Sequence, residues 1–466
     1  MNDINDIRKI KKLHCIGIGG IGISAVARFF LAQGVEVSGS DMSLSEELTS
    51  LSNQGAHVYF LQSEKNISEG VEVVVYSPAV PEDNVERQEA KKREIPTFSY
   101  PEMLGKIMSL YDGIAVSGTN GKTTTTALLG KFLEEGGCDP TVIIGGRVPG
   151  WDNNLRLGSS ELFVVEGCEY RRSMLNLCPK VIVLTNIEKD HLDYYKDIND
   201  IIGAFTEYVL KLKKEDLLVY NMDDRNCRNV ALKTSAKKIS FGLSNNADIY
   251  AQNIINSFNQ QSFEIVAFGK NVGKFVTKLP GIFNIYNILA ASAVVIDIGM
   301  ESVSIQRVLD NFGGTWRRFE KVGEIDGSLV FSDYAHHPTA IRGTLLGVRQ
   351  FFPNKKILVV FQPHHQNRTI KLFDDFALSF LEADEVIVSE IYHVCGREGE
   401  GEEDKISSEK LVSAIKKHNP NKEILFAENT KVAERLARER SKDFDIILVM
   451  GAGDIDEVAR KLVEKK

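Results

Sequence analysis

Short runs of β-branched and apolar residues recur along nearly the whole chain, each followed by a longer stretch with helical character. Unbroken apolar runs are the signature of strands buried on both faces, and the helical stretches between them are the crossovers that parallel strands require. The alternation predicts an α/β fold of parallel sheets covered by helices. A first strand is expected at 13–18, a helix at 22–33, a second strand at Glu36–Ser40 and a later one at 71–76. The pattern restarts with a strand at 113–117, a helix at 123–135 and strands at 162–165 and 181–185. After the junction NFGGTWRR, ending at Arg318, a third set follows at 329–331, Ile357–Phe361, 385–388 and 446–449. These restarts divide the chain into three units: a Rossmann-like one over 1–107, a P-loop-like α/β one over 108–314, and a second Rossmann-like one over 315–466. The acidic stretch at 396–404, GREGEGEED, is expected to be a mobile loop.

Composition narrows the setting. With 466 residues, 43% of them hydrophobic, the chain is long enough for about three cores. A net charge of −8 argues against a broad nucleic-acid-binding face, so any phosphate ligand must be held locally. The six cysteines show neither CxxC spacing nor a His/Cys cluster, which speaks against a disulfide framework and a structural zinc site. No apolar stretch reaches the roughly 18 residues of a membrane span. A cytoplasmic chain without export signal or membrane anchor is expected.

Two glycine-rich turns carry candidate chemistry. In the first, Gly17-Ile-Gly19-Gly20-Ile-Gly22 follows a strand and opens a helix, so its amides are placed to meet a pyrophosphate at the positive helix end. Asp41 closes the next strand and is placed to accept from a ribose hydroxyl. This suits NAD or a UDP-sugar, since both contain a pyrophosphate. In the second, Gly118-Thr119-Asn120-Gly121-Lys122-Thr123-Thr124 has the shorter spacing of a phosphate loop, with Val116 where the common Walker form has glycine. Its amides would cradle ATP phosphates, Lys122 would neutralise the β/γ oxygens, and the Thr123 hydroxyl would bind magnesium. Two later strands lead to Glu166 and to His191, candidate metal ligands beside that loop.

GTNGKTTTT, VVEGCEY, TNIEKDHLDYY, LPGIFNIYNILAA, RRFE, SDYAHHPT, FQPHHQNRT and VMGAGDI, in this order, resemble the motifs of the Mur ligase family along nearly the whole chain. The resemblance implies UDP-N-acetylmuramate on the first unit, ATP with magnesium, or manganese in its place, on the second, and an amino acid on the third. The sugar's lactyl carboxylate would attack the ATP γ-phosphate, and the amine would then displace phosphate from the acyl phosphate. Within the family, GIGGIG with Gly39-Ser-Asp41, EYRRS, DYAHHPT, FQPH and MGAGDI are most similar to the branch that adds L-alanine. The resemblance assigns catalysis to Lys122, Glu166 and His191, metal binding to Thr123, Glu166 and His191, and nucleotide contacts to Asn284, Asn287, Arg318 and Asp333. Substrate contacts fall to Gly17, Gly19, Gly20, Gly22, Asp41, Ser77, Asn186, His337, His364 and Arg368.

Several positions depart from the L-alanine pattern. Asn120 stands where that branch usually has histidine, Phe283 replaces the histidine of the adenine motif, and Cys168 replaces an aspartate. His365-Gln366-Asn367 and the segment from Glu390 to Arg397 also differ, which bears on the choice of amino acid. The segment 203–209 lacks the lysine that some relatives carbamylate, as does the L-alanine branch. Two alternatives stand beside this reading: a recycling ligase that adds a preformed tripeptide, and an NAD-linked oxidoreductase built on the first glycine turn. A monomer or homodimer is expected, with no nucleic acid and no membrane as partner.

Overall fold

A computed structural model describes residues 6–43, 45–151, 153–393 and 406–464. Three sheets follow one another along the chain. The first runs His57–Tyr59, Glu36–Ser40, Lys12–Ile16, Val73–Tyr76, Thr97–Ser99, all parallel. The second has ten strands. Its parallel centre is Leu217–Asn221, Val181–Leu184, Asp112–Ser117 and Leu162–Gly167, and Thr141–Ile143 with antiparallel Leu155–Arg156 closes one edge. The third runs Glu320–Ile325, Ser328–Asp333, Ile446–Met450, Ile357–Phe361, Glu385–Ser389, Glu423–Ala427, parallel except at its first strand.

The central strands are the ones legible as apolar runs. Ile357–Phe361, Glu385–Ser389 and Ile446–Met450 are buried at every position, as helices on both faces demand. The element ends differ by one or two residues from the sequence expectation. The first strand stops at Ile16 because Gly17 turns the backbone into the left-handed region at φ 78°. The meander Ile249–Ser257, Gln260–Ala267 and Lys270–Thr277, which extends the second sheet, was not among the predicted strands. Its outer positions are exposed and polar, so it lacks the continuous apolar signal. The acidic stretch 396–404 lies outside the described residues.

The first two units share a continuous apolar layer. Leu13, Phe29 and Met103 join Phe163, Leu184 and Phe205 in one cluster, with Tyr111 stacked on Phe163 at 5.3 Å. The third unit has its own cores on the two faces of its sheet. The contacts at its junction with the central unit include polar bridges, and those bridges surround the site. Among the described residues no helix is long and apolar enough to cross a membrane.

Candidate active site

The strand Asp112–Ser117 runs into a tight turn that opens the helix Lys122–Glu135. Gly118 and Gly121 have φ of 138° and 85°, the region that costs little only for glycine. A Cβ at Gly118 would lie 2.1 Å from the Thr185 hydroxyl, and one at Gly121 2.3 Å from Asn287 Oδ1. No side chain caps the helix, which leaves its first amides for an anion. Asn186 braces the loop. Its Oδ1 accepts from the Asn120 amide at 2.9 Å, its Nδ2 donates to the Asn120 carbonyl at 3.0 Å, and its own carbonyl accepts from the Thr119 amide at 2.9 Å. Behind the loop, Asn287 accepts from Thr125 at 3.2 Å and donates to Asn284 at 3.1 Å, while Asn284 donates to the Pro280 carbonyl at 2.7 Å. The amides of both asparagines are thus engaged within the protein.

Lys122 and Thr123 face two different carboxylates. Lys122 Nζ pairs with Glu169 at 2.9 Å and donates to the Gly118 and Thr119 carbonyls. Burial alone would lower the Lys122 ammonium, but the charge of Glu169 raises it above its ordinary value. Burial likewise opposes the charged form of Glu169, and Lys122 followed by His191 holds its carboxyl below the usual range. The Thr123 hydroxyl donates to Glu166 at 3.1 Å, and the Gly145 amide binds the other Glu166 oxygen at 2.6 Å. His191, itself at φ 50°, brings Nε2 to 3.4 Å from Glu169. Ligand atoms of Glu169, Asp190 and His191 lie within 4.8 Å of one another. Glu166 thus sits with Thr123, and Glu169, which was not among the expected ligands, stands beside His191.

The third unit grips the His191 segment from both sides. Arg368 pairs with Asp190 at 2.9 Å, Lys371 donates to the Leu192 carbonyl at 2.6 Å, and His337 Nε2 donates to the Lys189 carbonyl at 3.1 Å. His337 also caps the helix Pro338–Phe351, accepting from the Thr339 amide at 3.4 Å. Burial lowers its basicity, which suits a neutral ring that accepts through Nδ1 and donates through Nε2. Beside it lies a cleft lined by Asp190, His191, His364, His365, Asn367 and Arg368. His364 stacks on Tyr392 at 5.4 Å and meets His336 edge-on at 5.7 Å. Asp333 accepts from the Phe319 and Ala335 amides at 2.7 and 2.9 Å, and burial raises its carboxyl. It shapes the junction from which Arg318 reaches Thr123 at 3.4 Å, across the Tyr334 ring.

In the first glycine turn, Asp41 is held by the turn itself, accepting from the Gly19 amide at 2.9 Å. Gly20 precedes the helix Ile21–Ala32, Gly22 lies against the Tyr100 ring, and Ser77 sits beside Gly17, its amide on the Ile16 carbonyl at 3.0 Å.

Three family profiles match successive parts of the chain: "Mur ligase family, catalytic domain" over residues 12–112, "Mur ligase middle domain" over 116–295, and "Mur ligase, glutamate ligase domain" over 317–453. The chain belongs to the Mur ligase family. This ligase is 39% identical to the UDP-N-acetylmuramate–L-alanine ligase of Alkaliphilus metalliredigens over 463 residues, covering 99% of each chain. It is also 39% identical to the enzyme of the same name from Clostridium acetobutylicum, again over 99% of each. Among solved structures, the UDP-N-acetylmuramate–alanine ligase of Thermotoga maritima superposes with a TM-score of 0.82 at 28% identity, covering 97% of this chain and 98% of that one. A murein peptide ligase of Psychrobacter arcticus shares the fold, with a TM-score of 0.72 at 23% identity and coverage of 97% and 98%. Membership decides for a ligase over the oxidoreductase alternative.

In this Mur ligase the donor set fits a hard divalent cation. Thr123 and Glu166 offer oxygen ligands at the helix head, and Glu169 with His191 offers a second carboxylate and an imidazole. Glu169 escaped the sequence reading although it follows Glu166 by three residues, just before the turn Tyr170–Asn176. Also unread were Arg28, Glu47 and Asn154, which lock the first unit to the second. Arg28 is buried, pairs with Glu47 and donates to Asn154 at 2.9 Å, and Glu47 accepts from Asn153 at 2.6 Å. Arg28 and Glu47 lie in helices, where a charged residue is ordinarily solvated, so spacing held no signal.

Proposed function

We propose that this chain joins L-alanine to the lactyl carboxylate of UDP-N-acetylmuramate in the cytoplasm, converting ATP to ADP and phosphate through an acyl phosphate. The supporting observation is that Lys122, Thr123, Glu166, Glu169 and His191 meet at the head of one helix, beside a cleft to which the third unit contributes Arg368 and His364. The two relatives compared at 39% identity carry the name of this reaction over their full length.

In this reading residues 1–107 hold the UDP-sugar, 108–314 hold ATP, and 315–466 bring the amino acid. The diphosphate rests on the amides of Gly17 to Gly22, next to Ser77. The ATP phosphates rest on the amides of Gly118 to Thr123, with Lys122 transferred from Glu169 to the β/γ oxygens and Arg318 approaching from the third unit. These fixed charges act where charge spreads during phosphoryl transfer, and no enzyme nucleophile is required. Thr123, Glu166, Glu169 and His191 would hold magnesium, which when bound supplies neutralisation of phosphate charge. Arg368 and His364 receive the amino-acid carboxylate, and the joint grip of both units on the His191 segment aligns amine and carbonyl.

Phosphate release measured with ATP, UDP-N-acetylmuramate and, separately, L-alanine, L-serine, glycine and tripeptide tests the proposal. Turnover highest with L-alanine is expected. Turnover with the tripeptide alone would reject it.

A further inference from the structure

The segment that follows the strand Thr141–Ile143 touches all three units, and the site described above uses its Gly145 but not its Arg147. The segment begins on the site. The Gly145 amide holds Glu166 at 2.6 Å, and a Cβ at Gly146 would lie 3.1 Å from the Thr123 methyl. It ends on the first unit, where Asn153 donates to Glu47 at 2.6 Å and Asn154 accepts from Arg28 at 2.9 Å. Between these fixed ends, the Arg147 carbonyl accepts from the Trp316 amide at 3.0 Å, and the guanidinium lies 5.0 Å from the centre of the Trp316 ring. The same guanidinium stands 3.7 Å from Glu46 and 3.8 Å from Glu47, at the head of the helix Glu46–Asn53. Both distances exceed a hydrogen bond, and among the described residues the buried Nε has no hydrogen-bond partner. Charge and the ring face therefore hold the group, rather than a two-pronged fork on a carboxylate.

Trp316 stands two residues before Arg318, and the Arg318 amide donates to the Thr315 carbonyl at 3.0 Å. That turn makes the indole and the Arg318 stem one piece. On either side of Arg318, Arg317 and Phe319 sit in the left-handed region at φ 56° and 52°, a backbone that persists at a residue with a side chain only where contacts hold it. The third unit holds it from one side: Arg317 donates to the Gly451 and Gly453 carbonyls at 2.6 and 2.9 Å, and Phe319 stacks on Phe331 at 4.3 Å. Arg147 holds it from the other. Resting on the ligase reading above, we infer that Arg147 is a positioning residue: by seating Trp316 from the central unit, it sets the Arg318 guanidinium against Thr123 and the ATP phosphates. Glu46 and Glu47 of the first unit keep it at the junction by their charge.

A double-mutant cycle separates this role from a merely structural one, read as the calorimetric affinity for a non-hydrolysable ATP analogue with magnesium. Arg147→Met keeps the stem and removes the charge. It is expected to weaken binding of the analogue about three- to tenfold and to leave UDP-N-acetylmuramate binding unchanged. Arg147→Lys returns a cation to the ring face and is expected to recover most of the loss. In an Arg318→Met background, Arg147→Met is expected to add no further loss. The chain has two tryptophans, so Trp151→Phe leaves the emission of Trp316 alone, and acrylamide should quench that emission more strongly in Arg147→Met. Equal losses in both backgrounds, unchanged quenching, a parallel loss of UDP-sugar binding, no rescue by lysine or no loss at all overturns the inference. A wild type that binds no ATP analogue overturns the ligase reading itself and the positioning role with it.

Discussion

Asn186→Ala tests how the phosphate loop is built. The substitution removes the acceptor at 2.9 Å from the Asn120 amide and the donor at 3.0 Å from the Asn120 carbonyl. The backbone bond from the Thr119 amide and the Thr185 hydroxyl bond to the Asn120 carbonyl stay, so the loop loosens without unfolding. Each lost bond is worth about 1 kcal/mol net, so the ordered loop loses about 2 kcal/mol. If ATP must restore that order on binding, its affinity falls roughly thirtyfold, at about 1.4 kcal/mol per factor of ten. Calorimetric titrations of a non-hydrolysable ATP analogue and of UDP-N-acetylmuramate, run separately on variant and wild type, read the two sites apart. Weaker ATP binding with unchanged UDP-sugar binding is expected. Unchanged ATP binding with weakened UDP-sugar binding would refute the loop-brace argument and return Asn186 to the direct substrate contact expected from sequence.

Further outcomes follow from other contacts. Lys122→Ala should abolish phosphate release while calorimetry finds UDP-sugar binding unchanged, because the glycine turn lies on another unit. Chelation by EDTA should stop phosphate release, and added magnesium or manganese should restore it. Glu47→Ala leaves the buried Arg28 guanidinium without its carboxylate and should cost about 3 kcal/mol or more in urea unfolding. Glu86 is buried at 0% exposure; burial opposes its charge, but His14, Ser40 and Asn66 hold its carboxyl below the ordinary value. A depressed carboxyl stabilises the fold above its unfolded value and loses that contribution as pH falls through the folded one. The urea midpoint should therefore drop on acidification, and Glu86→Gln should flatten that drop.

Sequence revealed most where burial is two-sided. Ile357–Phe361 and Ile446–Met450 stand out because helices cover both faces, whereas Lys270–Thr277 and Glu320–Ile325 expose one face and dissolve into the surrounding polarity. The phosphate loop was legible because its glycines answer a steric demand that no other residue meets. Asn186 and Asp333 were read as ligand contacts, and in the structure their side chains engage the backbone of neighbouring segments. Their motifs mark them, but spacing cannot distinguish a group that touches a ligand from one that shapes the segment around it. His337 was read the same way, as a substrate contact. Pro338 opens a helix, which makes His337 its cap, and the other ring nitrogen donates to the Lys189 carbonyl.

The Lys122–Glu169 pair has a consequence for the order of events. The two charges neutralise one another at 2.9 Å, so the pair presents little bare charge to stray anions or cations. In the proposed reading, an ammonium that turned to a phosphate would release Glu169 beside His191 as an anionic ligand. A cation on Glu169 would in the same way free Lys122 for phosphate. Nucleotide and metal would then recruit one another, each raising the other's affinity by the same factor, as linkage requires. The pair would work as an interlock that keeps the site quiet until both have arrived.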